Sequence, residues 1–128
     1  MRTGAKILVI DDERSIRRFM DASLTANGYA VLPAKTGAEG VKAAAEEHPD
    51  VVLLDLNLPD IDGLTAMRAI RPLVGPGVSL VAVSADASPD VIQRALDAGF
   101  DEFWTKPIDV RRLRQRLRDL GSEHLPVS

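Results

Sequence analysis

Five short apolar runs punctuate the chain, and stretches with helical spacing lie between them. The runs are Lys6–Ile10, Ala30–Ala34, Val51–Leu54, Ser79–Ser84 and Glu102–Thr105. The first, third and fourth are apolar almost throughout instead of alternating, as parallel strands covered on both faces require. Ile16, Phe19, Met20, Ser23 and Leu24 recur at the spacing of one helix stripe, which Asn27-Gly28 ends. Val41, Ala44 and Ala45 predict a second, alanine-rich helix that stops before Pro49. Leu64, Met67 and Ile70 predict a third. Val91, Ile92, Ala95 and Leu96 predict a fourth, capped by Gly99. Val110, Leu113, Leu117 and Leu120 predict the last, closed by Gly121, with Ser122–Ser128 as a frayed tail.

The order is therefore βαβαβαβαβα. Such alternation at this length requires right-handed crossovers and a doubly wound α/β fold, a five-stranded parallel sheet with five helices. At 128 residues the chain has room for one domain, read here as 1–121 with a tail at 122–128. Ligands of such sheets bind outside the carboxyl ends of the strands. Asp11 and Asp12 follow the first run, Asp55 ends the third, Ser84 ends the fourth, and Lys106-Pro107 follows the fifth. Separate segments thus bring carboxylates, a hydroxyl and an ammonium to one rim.

Composition narrows the setting. Apolar residues make up 45% and charged residues 27%, ordinary for a globular protein with its own core. The chain has no cysteine, which removes disulfide and thiolate chemistry and favours a reducing cytoplasm. Its two histidines, His48 and His124, are too far apart in sequence to suggest a zinc site. No apolar run approaches the ~20 residues of a membrane helix, and Met1–Lys6 does not open a signal peptide. A net charge of −3 weighs against nucleic acid as the main partner. Arg111, Arg112, Arg114, Arg116 and Arg118 on the last helix are read as a solvated face.

Clustered carboxylates repel one another unless a cation joins them, and oxygen donors suit a hard divalent ion. Asp11-Asp12 alone could be helix N-terminal acids, and Asp55 alone a turn residue. The run Asp55–Gly63 has a passing likeness to a calcium loop. Pro59 stands where a ligand is needed, however, the central glycine is missing, and Ala66 replaces the closing acid. Ser84 could cap the following helix, but Ser88 before Pro89 fits that cap better.

Taken together, Asp11-Asp12, Asp55 with the Pro59-Asp60-Ile61-Asp62-Gly63 loop, Ser84-Ala85 and Lys106-Pro107 resemble the receiver domain of two-component response regulators (the CheY-like family). The resemblance covers residues 6 to about 120. It implies the flavodoxin-like (βα)5 fold with strand order 2-1-3-4-5, and phosphoryl acceptance on Asp55 within a phosphorelay. It also implies Mg²⁺, with Mn²⁺ possible, held by Asp12 directly, by Asp11 through water, by Asp55 and by the Asn57 carbonyl. Ser84 and Lys106 are then phosphoryl contacts, Ser84 and Phe103 the switch pair, and Lys106–Pro107 a cis peptide. Many relatives have tyrosine where Phe103 stands. The implied partners are a histidine kinase or histidine phosphotransfer protein as donor and a downstream protein. The domain would be a monomer or a phosphorylation-dependent dimer, without direct nucleic-acid or membrane contact. It would be a signalling domain, not an enzyme beyond its own phosphorylation and dephosphorylation. It would stand alone or be cut from a larger protein, and two segments are similar to receivers of hybrid histidine kinases.

Rival functions fit less well. A haloacid-dehalogenase-type phosphatase needs a second acid where Asn57 stands. A flavin carrier must cradle phosphate in its first loop, which Asp11-Asp12-Glu13 would repel. A degenerate receiver that only binds protein would have no reason to keep the acidic set. Trp104, next to Phe103, should face the opposite side of the sheet as a packing residue.

Overall fold

The computed structural model describes residues 4–124. The elements run β1 (Lys6–Ile10), α1 (Arg14–Thr25), β2 (Ala30–Ala34), α2 (Gly37–Glu47), β3 (Val51–Asp55), α3 (Gly63–Ile70), a 3-10 turn (Arg71–Leu73), β4 (Ser79–Ser84), α4 (Pro89–Ala98), β5 (Glu102–Thr105) and α5 (Val110–His124). All strand pairs are parallel, in the order β2-β1-β3-β4-β5, so the doubly wound α/β expectation holds.

The period-two geometry of a strand sends alternate residues to opposite faces, which sorts the core into two layers. Ile7, Val9, Leu53, Val81 and Val83 pack with Met20 and Leu24 of α1 and Leu113 and Leu117 of α5. Leu8, Ile10, Val52, Leu54, Leu80 and Ala82 pack with Ala44 of α2, Met67 and Ile70 of α3, and Ala95 of α4. Each large aliphatic side chain buried this way contributes about 1.5–3 kcal/mol. Every residue of β3 and β4 is buried, which holds the carboxyl ends of these central strands rigid beneath the rim. The outer strand β2 tolerates Pro33, because an edge has no second partner to receive its missing N–H.

Three local expectations are corrected. Phe19 and Leu96 are 45% and 42% exposed, because α1 buries the Met20–Leu24 line and α4 buries Ala95, leaving both residues off the contact line. Ala45 is exposed as well. Helix α5 does not close at Gly121 but continues to His124. An interior glycine costs a helix only about 1 kcal/mol, and no proline follows at once to stop it. The side chains of Val110 and Leu120 and the tail residues 125–128 lie outside the described residues. Among the described residues, no helix is long and apolar enough to cross a membrane.

Candidate functional site

The rim at the carboxyl ends of β1, β3, β4 and β5 collects the residues singled out above. Asp11 follows β1 and is 3% exposed. Its amide donates to the Ala34 carbonyl at 3.0 Å, which ties it to the end of β2. Its Oδ1 accepts from the Glu13 amide at 2.9 Å, and its Oδ2 pairs with Lys106 Nζ at 2.9 Å. The Arg17 guanidinium, reaching back from α1, donates to the Asp11 carbonyl at 2.8 Å. Both carboxylate oxygens of Asp11 are thus engaged, whereas Asp12 beside it is exposed.

Asp55 closes β3 and is 4% exposed. Its Oδ1 accepts from the Asn57 amide at 2.9 Å, and its Oδ2 lies 3.2 Å from Lys106 Nζ. Lys106 is placed by its own amide, which donates to the Ser84 carbonyl at 2.9 Å, and its peptide bond to Pro107 is cis. Carboxylate oxygens of Asp11, Asp12 and Asp55 lie within 4.8 Å of one another. All the acidic donors are oxygens, as a hard divalent cation requires, and the chain has no cysteine to compete.

Burial pushes the Asp55 carboxyl above its ordinary range; the Asn57 amide opposes this, the Asp11 charge adds to it, and Lys106 offsets part. Burial works against the Lys106 ammonium too. The hydrogen bond and charge of Asp11, followed by those of Asp55, outweigh it and hold the lysine above its usual value. The centre is therefore an ammonium gripped by two buried carboxylates, one of which is reluctant to ionise.

Ser84 ends β4 at 1% exposure, its Oγ accepting from the Asp86 amide at 3.1 Å. Ser88 occupies the N-cap of α4, as expected, but its side chain accepts no helix N–H. Its amide and hydroxyl bond to Asp86 instead, which lowers the Asp86 carboxyl. Phe103 packs with the layer under α2, α3 and α4, and Trp104 with the opposite layer, as alternation along β5 predicts. The Trp104 indole donates to Glu102 Oε1 at 3.0 Å. The arginines of α5 are not one uniform solvated face. Arg116 forks onto both Glu102 oxygens at 2.7 Å, and Arg114 is half-buried, while Arg111, Arg112 and Arg118 are exposed. Burial raises the Glu102 carboxyl, but bonds from Arg116 and Trp104 and the Arg116 charge bring it below its ordinary value.

Two contacts around the site escaped the sequence reading. One is the Arg17 grip on Asp11. The other is Asp60, whose carboxylate accepts from the Gly37 and Ala38 amides at 2.8 and 2.9 Å. Both join residues that local patterning does not connect.

Residues 7–118 match the model of the response regulator receiver domain. The chain is 44% identical over 112 residues to the transcriptional regulatory protein KdpE of Mycobacterium tuberculosis, covering 88% of this chain and 49% of that protein. It thus spans about half the length of the curated relatives it matches. Among solved structures, a CheY-like receiver domain protein from Methanospirillum hungatei superimposes with a TM-score of 0.87 at 29% identity, over 94% of this chain and 97% of that one. The receiver domain of the sensor histidine kinase PA1611 from Pseudomonas aeruginosa, with a magnesium ion coordinated in its active site cleft, gives 0.82 at 28%, over 93% and 99%.

Proposed function

The chain belongs to the response regulator receiver domains of two-component signalling, and on that premise we propose that Asp55 accepts a phosphoryl group from a histidine kinase or a histidine phosphotransfer protein. One observation carries this reading: a buried carboxylate at the end of a central strand faces both an acidic cluster and a lysine at ion-pair distance. An Asp55 oxygen attacks phosphorus as the bond from phosphorus to the donor's imidazole nitrogen breaks, and that nitrogen takes its proton from solvent. Lys106 then passes from Asp55 to a phosphoryl oxygen, and the Ser84 hydroxyl bonds to another. Positioning and charge neutralisation, more than covalent chemistry, set the rate of such a transfer.

The donor set fits Mg²⁺ or Mn²⁺. Asp12, exposed at the rim, would bind the ion directly, and Asp11, whose oxygens are both engaged, through water; Asp55 and the Asn57 carbonyl complete the set. A cation held there would offset the repulsion between the acceptor carboxylate and the phosphoryl oxygens. The switch pair is Ser84 with Phe103, since a hydroxyl drawn toward the phosphoryl group leaves room behind it for the ring. The Phe103 ring offers no hydrogen bond, so it signals through where it packs.

Because α5 runs on to His124, we extend the receiver from the expected 1–121 to 1–124, place it in the cytoplasm, and read it as a signalling domain whose only chemistry is its own phosphorylation and dephosphorylation. The curated relative at 44% identity is named a transcriptional regulatory protein, which favours that kind of output over a hybrid kinase. The test is intact-mass spectrometry after incubation with acetyl phosphate and Mg²⁺. One phosphoryl group should be added, and none with Asp55→Ala or a chelator. A modification that survives Asp55→Ala overturns the assignment.

A further inference from the structure

We propose that Asp60 is a positioning residue for the Asp55 centre, acting through the loop between β3 and α3; this rests on the function proposed above. The loop begins at Leu56 and is closed at its base, where the Gly63 amide donates to the Leu56 carbonyl at 3.1 Å. Asp62 at its far end caps α3, accepting from the Thr65 amide at 3.0 Å. These bonds fix where the loop leaves and re-enters the fold, but not where its tip lies. Asp60 fixes the tip. Its two carboxylate oxygens take the Gly37 and Ala38 amides, two of the N–H groups that the first turn of α2 leaves without helical partners. The negative charge also sits where the helix dipole favours it. These bonds hold the Asp60 carboxyl below its ordinary value.

A second contact repeats the tie. A side chain at Gly37 would run into Ile61, so the loop tip rests in a socket that only glycine leaves open. Helix α2 has its own cap, with Thr36 Oγ accepting from the Glu39 amide at 3.1 Å. The Asp60 clamp is therefore not needed to start the helix. What it adds is a fixed distance between α2 and the loop that holds Asn57, whose amide bonds to Asp55 Oδ1 and whose carbonyl belongs to the ligand set proposed above.

Three variants test the proposal in the full chain: Asp60→Ala, Asp60→Asn, and Thr36→Ala as a control that weakens the α2 cap without touching the loop. In metal-free protein, Asp60→Ala should shift the amide resonances of Leu56 and Asn57 together with those of Gly37 and Ala38. Thr36→Ala should shift only the α2 amides. Titration with Mg²⁺, followed by the same resonances, should show binding about tenfold weaker in Asp60→Ala, as for loss of an outer-shell partner of a metal site. Asp60→Asn, which keeps one acceptor, should recover most of it, and Thr36→Ala should bind Mg²⁺ as wild type does. Phosphoryl uptake by Asp60→Ala should be slow at low Mg²⁺ and normal at saturation. Unchanged Asn57 resonances and Mg²⁺ affinity in Asp60→Ala, or an equal loss in Thr36→Ala, overturns the clamp. Wild type that binds Mg²⁺ but takes no phosphoryl group overturns the proposed function and leaves the clamp standing.

Discussion

Lys106 Nζ lies 3.2 Å from Asp55 Oδ2, although 51 positions separate the two residues in the chain. The same nitrogen is 2.9 Å from Asp11 Oδ2, so one ammonium holds two buried carboxylates that would otherwise repel each other. Because the Lys106 value is raised above the ordinary 10.5, its ammonium is charged at neutral pH and gives up its proton only as pH rises through the folded value. On the acid side, the pairing with Asp55 is lost as that carboxyl protonates. Lys106→Ala leaves the carboxylates buried without their partner, a change that costs about 3 kcal/mol. We expect the metal-free variant to melt roughly 10 °C below wild type at pH 7. Mg²⁺ should recover more stability in the variant than in wild type, because it supplies the missing positive charge. Thermal melts with and without the ion decide this, and a smaller Mg²⁺ response in the variant would count against the shared-charge account.

Asp55 has the opposite effect on stability. Its folded pKa is raised above the ordinary 3.8, chiefly by burial, so the fold favours the protonated form. The stability contributed by that preference is complete at acid pH and is lost as pH rises through the folded value. Asp55→Asn removes the titration and keeps an oxygen for the Asn57 amide. Without metal, the variant should melt a few degrees above wild type at pH 7, with the advantage shrinking toward pH 3. A difference independent of pH over this range would show that ionisation of Asp55 does not strain the fold.

Asp12 provides a separate check, because it is exposed while Asp11 and Asp55 are buried. Asp12→Ala should leave the metal-free melting temperature unchanged or slightly raised, since it removes only repulsion. It should abolish most of the rise that Mg²⁺ produces by binding the native state. A full Mg²⁺ response in this variant would place the ion elsewhere.

The architecture was legible where burial is simple. β1, β3 and β4 are covered on both faces, so their continuous apolar runs could be read without a partner in view. Helix spacing was less decisive, because it shows a stripe but not its width. Phe19 and Leu96 fit their stripes and still lie exposed. Asp11, Asp12, Asp55, Ser84 and Lys106 could be assembled because the fold class itself sends strand ends to one rim. The Arg17 and Asp60 contacts could not. Asp60 lies 23 positions from Gly37 and looks like any turn residue until α2 and the loop are placed side by side.

The last prediction concerns how the site would report its state. Ser84 is 1% exposed, and its Oγ accepts from the Asp86 amide, so the hydroxyl is fixed at the start of the segment leading into α4. Its carbonyl accepts from the Lys106 amide, which links the same residue to the end of β5. Phe103 is half-buried against the layer that includes Ala82, its register partner on β4, and Ala95 of α4. Burying the rest of such a ring contributes about 1–2 kcal/mol, enough to bias two arrangements severalfold without locking either. Moving the Ser84 hydroxyl toward a phosphoryl group would break its bond with Asp86 and loosen the segment over which the ring must pass. Ser84→Ala should therefore accept phosphate more slowly and show little change in amide resonances beyond the site. Phe103→Ala should accept phosphate at nearly the wild-type rate, because the ring has no polar group to offer the acceptor, yet lose the response across residues 84–108. Resonances recorded before and after phosphorylation distinguish the cases. If Phe103→Ala retains the wild-type pattern of shifts, the ring is a packing residue and the signal leaves the site by another route, for which the loop between β3 and α3 would be the next segment to examine.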